Sequence, residues 1–99
     1  MSDSEVLYEK IVHENMEKAF QLRAVVNVFR EVEYLHIRKY FLSFEGEWTP
    51  SKEGVSMPMS IPNVFNLLDA LVEICAKAEG VDTIQTHFKD KLTDLTKTT

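Results

Sequence analysis

The residues of this chain that could do chemistry are cations and rings, gathered between Arg23 and Lys52. Arg23, Arg30, Arg38, Lys39 and Lys52 supply positive charge, and Phe29, Phe41 and Trp48 supply aromatic faces. Cations neutralise phosphates and rings stack on any base, so the mixture suits an unpaired nucleic-acid strand. The densest part runs Arg38-Lys39-Tyr40-Phe41, then a tight Glu45-Gly46-Glu47 turn that exposes Trp48. A Pro50-Ser51-Lys52-Glu53-Gly54 loop and a short Val55-Ser56-Met57 run follow.

Each of these residues also has a plainer reading. Phe41 and Trp48 can be core or dimer-contact rings, since large rings are mostly buried. Arg38 and Lys39 can be solvated strand charges, paired with Glu33 or Glu47 at little energetic benefit. Arg30 at a hairpin end is exposed in either case. Tyr40 alternates away from Phe41 and reads as structural.

Catalytic patterns are missing. His13, His36 and His87 form no His-x-x-x-His or Cys-His spacing that would hold a metal. Cys75, the one cysteine, sits in an apolar run and reads as a small buried hydrophobe. No phosphate-binding glycine loop or Gly-x-Ser-x-Gly elbow occurs. The expectation is a non-enzymatic protein with no cofactor and no metal.

At 99 residues the chain is one domain, small enough to gain from oligomerising, and its 44% hydrophobic content is that of a folded protein. One cysteine excludes an internal disulfide framework. No apolar run spans a bilayer and no basic-then-apolar leader opens the chain, so no membrane partner is expected and an intracellular location is. The net charge of −5 opposes nucleic-acid binding, but its distribution is uneven. Residues 1–19 hold two bases and five acids, and residues 59–99 hold four and six. Residues 20–58 hold five of each, leaving room for a local cationic groove that salt weakens.

These side chains need elements to position them. Residues 1–19 open with the capping-box spacing Ser2-x-x-Glu5 and place Tyr8, Val12, Met16 and Ala19 at helical intervals, which predicts an amphipathic helix. Leu22–Arg30 and Glu33–Ser43 read as strands; Leu35 and Ile37 face one way, and Tyr34, His36, Arg38 and Tyr40 the other. Gly46 and Gly54 punctuate two further short strands. Ser60 and Pro62 start a helix over Ile61–Glu79 that Gly80 ends. That helix is apolar on more than one side, which calls for two neighbours, the second most simply another copy of the chain. Val64, Leu67, Leu68, Leu71, Ile74 and Cys75 are the expected dimer contacts. Residues 81–99 carry Ile84, Phe88, Leu92 and Leu95 at helical spacing, a second amphipathic segment.

The order of residues from about Phe20 to Ala78 resembles the single-stranded-DNA-binding domain of the p15 transcriptional coactivator (positive cofactor four) family. Phe29-Arg30 stand at that family's Phe-Lys pair, and Arg38-Lys39-Tyr40-Phe41 at its Arg-x-Tyr-Trp. Glu45-Gly46-Glu47 and Pro50 match, and Gly54-Val55-Ser56-Met57 match its closing strand. The chain departs from the pattern at Glu31-Val32, where the family has Gly-Lys, and at Thr49 and Glu53, where it usually has lysine.

The resemblance implies an α+β fold: a curved four-stranded antiparallel sheet over residues 20–80, followed by a long helix through which the family dimerises. Helices at both termini would be additions of this chain. It implies single-stranded DNA held in the paired grooves of a homodimer, at melted duplex in transcription or repair. Transcription proteins would be further partners and the nucleus the location. Phosphates would meet Arg23, Arg30, Arg38, Lys39 and Lys52, while bases would stack on Phe29, Phe41 and Trp48. Two other readings stay open: an RNA-binding variant, and a protein-interaction module that kept the fold and lost the groove.

Overall fold

The structure, a computed structural model, describes residues 4–97. The chain divides between Asn63 and Val64 into two compact units. The first is an antiparallel sheet of β1 (Ser4–Asn15), β2 (Phe20–Phe29), β3 (Val32–Leu42) and β4 (Trp48–Pro58), paired in sequence order. Helices α1 (Ile61–Glu79) and α2 (Val81–Lys97) follow.

The predicted N-terminal helix is a strand, β1, and Ser2 of the supposed capping box lies outside the described residues. Two irregularities explain why periodicity misled. Pairing with β2 slips between Val6 and Tyr8 and again between Ile11 and His13, so Leu7 and Val12 are extra residues. Each bulge advances the side-chain phase by one. The apolar residues therefore recur at an interval of four, although the backbone is extended. Val6, Tyr8, Ile11 and Val12 favour strands on their own account, and β2 offers an edge for them to pair with.

β2 and β3 form the predicted hairpin, closed by Arg30 and Glu31 between the opposed Phe29 and Val32. Both turn residues have positive φ, 53° and 69°, as a two-residue I′ turn requires. The turn is thus kept without the glycine that favours it. β4 corrects a second expectation: the two short strands and the loop between them are one strand. The segment Ser51–Glu53 bulges opposite Lys39, between the pairs Tyr40–Pro50 and Arg38–Gly54. Ser51 stitches the bulge by donating its hydroxyl to the Lys39 carbonyl at 2.8 Å. Beyond it the strands come so close that a Cβ on Gly54 would lie 2.7 Å from the Ile37 carbonyl oxygen. Pro50 and Pro58 are tolerated because β4 is an edge strand.

α1 begins as read from the sequence, with the Ser60 hydroxyl accepting the Asn63 N–H at 3.3 Å. It ends at Gly80, whose φ of 94° turns the chain and whose N–H bonds the Ala76 carbonyl at 3.1 Å. Leu68, Leu71 and Ile74 are about half exposed or more, at 48%, 49% and 62%. Cys75 is exposed as well, against the expectation that it is buried. Of the expected dimer contacts, Leu68, Leu71, Ile74 and Cys75 stand open in the single chain, while Val64 and Leu67 are half-buried. α2 confirms the C-terminal segment as helical, with Asp82 in its first turn. No described helix is long and apolar enough to cross a membrane.

Candidate nucleic-acid interface

Strand register sorts the candidate residues onto two faces, because directly opposed residues project the same way. One face carries Gln21, Arg23, Val25, Asn27 and Phe29 of β2 with Tyr40, Arg38, His36 and Tyr34 of β3 opposite. Trp48, paired with Leu42, belongs to it, as do Glu9 and Glu14 of β1. The other face carries Phe20, Leu22, Ala24, Val26 and Val28 against Phe41, Lys39, Ile37, Leu35 and Glu33. The alternation predicted for β3 is what the ladder shows. It also separates neighbours: Arg38 and Tyr40 lie on the polar face, Lys39 and Phe41 on the apolar one.

The polar face is a connected network. Arg23 donates to the Glu9 carboxylate at 2.6 Å and to the Gln21 side-chain oxygen at 2.9 Å. Gln21, only 3% exposed, in turn donates to Glu14 at 2.9 Å. The Arg23 guanidinium lies 4.1 Å over the Tyr40 ring. Burial and the nearby Glu9 carboxylate push the Tyr40 phenol above its ordinary range. Arg38 donates to the Ser51 carbonyl at 3.0 Å and contacts His36 Nδ1 at 3.2 Å, while His36 Nε2 lies 2.6 Å from the Asn27 side-chain oxygen. Burial first, and the Arg38 charge second, hold the His36 imidazole below its ordinary value. Next to this chain, Asn27, Phe29, Tyr34, His36 and Ser56 line a hollow of about 280 Å³.

The remaining candidates lie elsewhere. Arg30, at the hairpin tip, sits 5.1 Å over the Phe29 ring. Lys39, on the apolar face, lies 4.7 Å over Phe20 and 3.8 Å from the Glu53 carboxylate. Phe41 is 43% exposed there. Lys52 is exposed in the β4 bulge, and neither ion pair among the described residues includes it. Trp48 is half-buried where exposure was expected, because β4 begins with it and pairs it against Leu42. Sequence reasoning missed Asn27 and Glu9, and passed over Tyr34 and His36 as site residues. Their signal was the two-residue turn, which fixes register and sets Asn27 opposite Tyr34. It also passed over Phe44, whose side chain projects fully into solvent from the β3–β4 turn. Among the described residues no group of three or more His, Cys, Asp or Glu side chains could hold a metal ion.

Comparison with known families matches residues 17–65 to Transcriptional Coactivator p15 (PC4). This chain carries a PC4 domain. A similar solved structure is the bacteriophage T5 homolog of the eukaryotic transcription coactivator PC4, implicated in recombination-dependent DNA replication. It is 27% identical, with a TM-score of 0.68 over 89% of this chain and 94% of that one. No curated protein sequence matches the chain. The family match starts after β1, whereas the structural likeness covers most of the chain. The PC4 domain supplies the α+β frame, and binding of single-stranded DNA is the family's property.

Proposed function

We propose that this protein binds single-stranded DNA on the polar face of its sheet, without catalysis, as a homodimer built through α1. The observation that carries this is the convergence of Arg23, Arg38, Phe29 and Trp48 on one face, beside a hollow of base-compatible size lined by rings and polar groups. Arg30 and Lys52 extend the cationic surface at the hairpin tip and the β4 bulge. Lys39 and Phe41 are assigned to packing on the other face. The open stripe of Leu68, Leu71 and Ile74 supports the dimer, since contiguous wet apolar side chains on one helix face favour a partner.

The setting is melted duplex in transcription or repair. The T5 homolog's link to replication adds recombination intermediates to that list. A nuclear location and transcription-protein partners belong to the transcription branch alone. Arg23 already has a carboxylate partner in Glu9, so a strand must compete with the protein's own acids. That observation also favours a second reading, a protein-interaction module with a silenced groove.

Labelled single-stranded and duplex oligonucleotides at two salt concentrations separate the two. The strand-binding reading expects tighter binding of the single strand, weakened by salt. No binding at low salt would support the interaction module instead.

A further inference from the structure

His36 and Arg38 stand in a relation that the groove's general chemistry does not require. Arginine only donates hydrogen bonds, so the 3.2 Å contact from Arg38 Nη2 makes His36 Nδ1 an acceptor. The ring proton then sits on Nε2 and is donated to Asn27 Oδ1 at 2.6 Å. The arrangement as it stands demands a neutral imidazole. Arg38, with Nη1 on the Ser51 carbonyl and Nη2 on the imidazole, spends hydrogen bonds on its own protein.

Adding a proton at Nδ1 reverses this. The contact becomes donor against donor between two cations and cannot persist. An oxygen acceptor seated between the two nitrogens would take a hydrogen bond from each. On an unpaired strand the acceptor that suits two facing cations is a phosphodiester oxygen, negative and able to accept from both. We propose that His36 and Arg38 form a proton-gated phosphate clamp, closed on itself when His36 is neutral and open to one strand phosphate when His36 is charged. This rests on the strand-binding reading and adds a regulated site to it.

The surroundings favour the gate. β2 faces His36 with Val25 and Asn27, β4 with Ser56, and β3 with Tyr34 and Arg38. Arg23 lies on the same face, held by Glu9 of β1, and Glu14 is bonded to Gln21. Burial first, and the Arg38 charge second, depress the imidazole, so the empty site is neutral near pH 7. A bound phosphate raises the imidazole's affinity for a proton, and binding must then take up a proton as pH falls below that range.

The test measures binding of labelled oligothymidylate, whose bases do not titrate in this range, at pH 7.5 and 5.5. The expected result is a several-fold gain in affinity at the lower pH, limited to about tenfold per pH unit by one proton. The salt dependence should steepen by about 0.7 in log–log slope, one added phosphate contact on a single strand. His36→Gln should remove the gain, and His13→Gln, on the opposite face, should keep it. Acid destabilisation would weaken binding, so a gain cannot arise from it. Equal affinity at both pH values, or an equal gain in His36→Gln, overturns the clamp while leaving strand binding intact. No binding at either pH at low salt overturns the strand-binding reading and the clamp together.

Discussion

The two faces of the sheet handle their side chains in opposite ways. On the polar face nearly every charged or hydrogen-bonding group is engaged within the protein: Glu14 with Gln21, Gln21 with Arg23, Arg23 with Glu9, Arg38 with Ser51 and His36, His36 with Asn27. It also holds the two most buried residues named in the sheet, Gln21 and Val25, at 3% and 6% exposure. The apolar face, with Leu22, Ala24, Val26, Leu35 and Ile37, is only half-buried. The lesson is that groups on the polar face are preorganised and must be exchanged for a ligand, whereas apolar surface here needs covering. Affinity on the first is a difference between partners; on the second it is burial.

The largest effect should come from disturbing apolar surface. Leu71→Asp should dissociate or unfold the protein, because a charge would enter a face built for burial. Light scattering on a sizing column should give twice the 11.4 kDa chain mass for the parent and not for the variant. A monomeric parent at micromolar concentration would end the dimer proposal.

A smaller effect should follow from releasing a cation on the polar face. Glu9→Gln removes the carboxylate that holds Arg23 at 2.6 Å and should tighten single-strand binding by about 1 kcal/mol or less, the worth of a part-exposed ion pair. Weaker binding in a titration of this variant would show that Glu9 positions Arg23 and does not compete for it.

The hairpin between the faces gives a comparable change in stability alone. Glu31 holds a φ of 69°, a region that disfavours residues with a Cβ by roughly 1–2 kcal/mol. Glu31→Gly should therefore stabilise the fold by up to about 1 kcal/mol once the freer unfolded chain is counted, read as a higher denaturation midpoint. Affinity for the strand should change little.

The smallest effect concerns acid. The folded His36 pKa is lowered, so between that value and the ordinary 6.5 the unfolded chain binds more proton. Its contribution to stability is complete above about pH 6.5 and is lost as pH falls toward the folded value. Denaturation at pH 7.5 and 5.5 should show a loss in the parent that His36→Gln reduces.

Much of this was legible in the sequence where one period ran without interruption. Tyr34 to Tyr40 alternate cleanly, and Ser60, Pro62 and Gly80 bracket α1, so β3 and α1 were read nearly to the residue. β1 was not, because bulges at Leu7 and Val12 gave a strand the apolar spacing of a helix. β4 was split because Pro50 and Gly54 look like breakers, although an edge strand with a bulge accepts both. The candidate site was partly legible: its rings and cations stand in the sequence, but adjacency grouped Arg38 with Lys39 and Phe41, which alternation divides. Glu9 was hidden because its partner Arg23 is 14 residues away, across a hairpin whose first strand reads as a helix.

The central claim is that the polar face holds the strand, and a matched pair of truncations tests it most directly. Binding of one single-stranded oligonucleotide would be measured for Phe29→Ala and Phe41→Ala, with Arg38→Ala and Lys39→Ala as the charged counterparts. Phe29→Ala should lose about 1–3 kcal/mol, the usual worth of a stacking ring, and Arg38→Ala should weaken binding and flatten its salt dependence. Phe41→Ala and Lys39→Ala should bind like the parent, with any loss for Phe41 appearing in stability. The reverse pattern, in which Phe41 and Lys39 carry the affinity and Phe29 and Arg38 do not, would contradict the account.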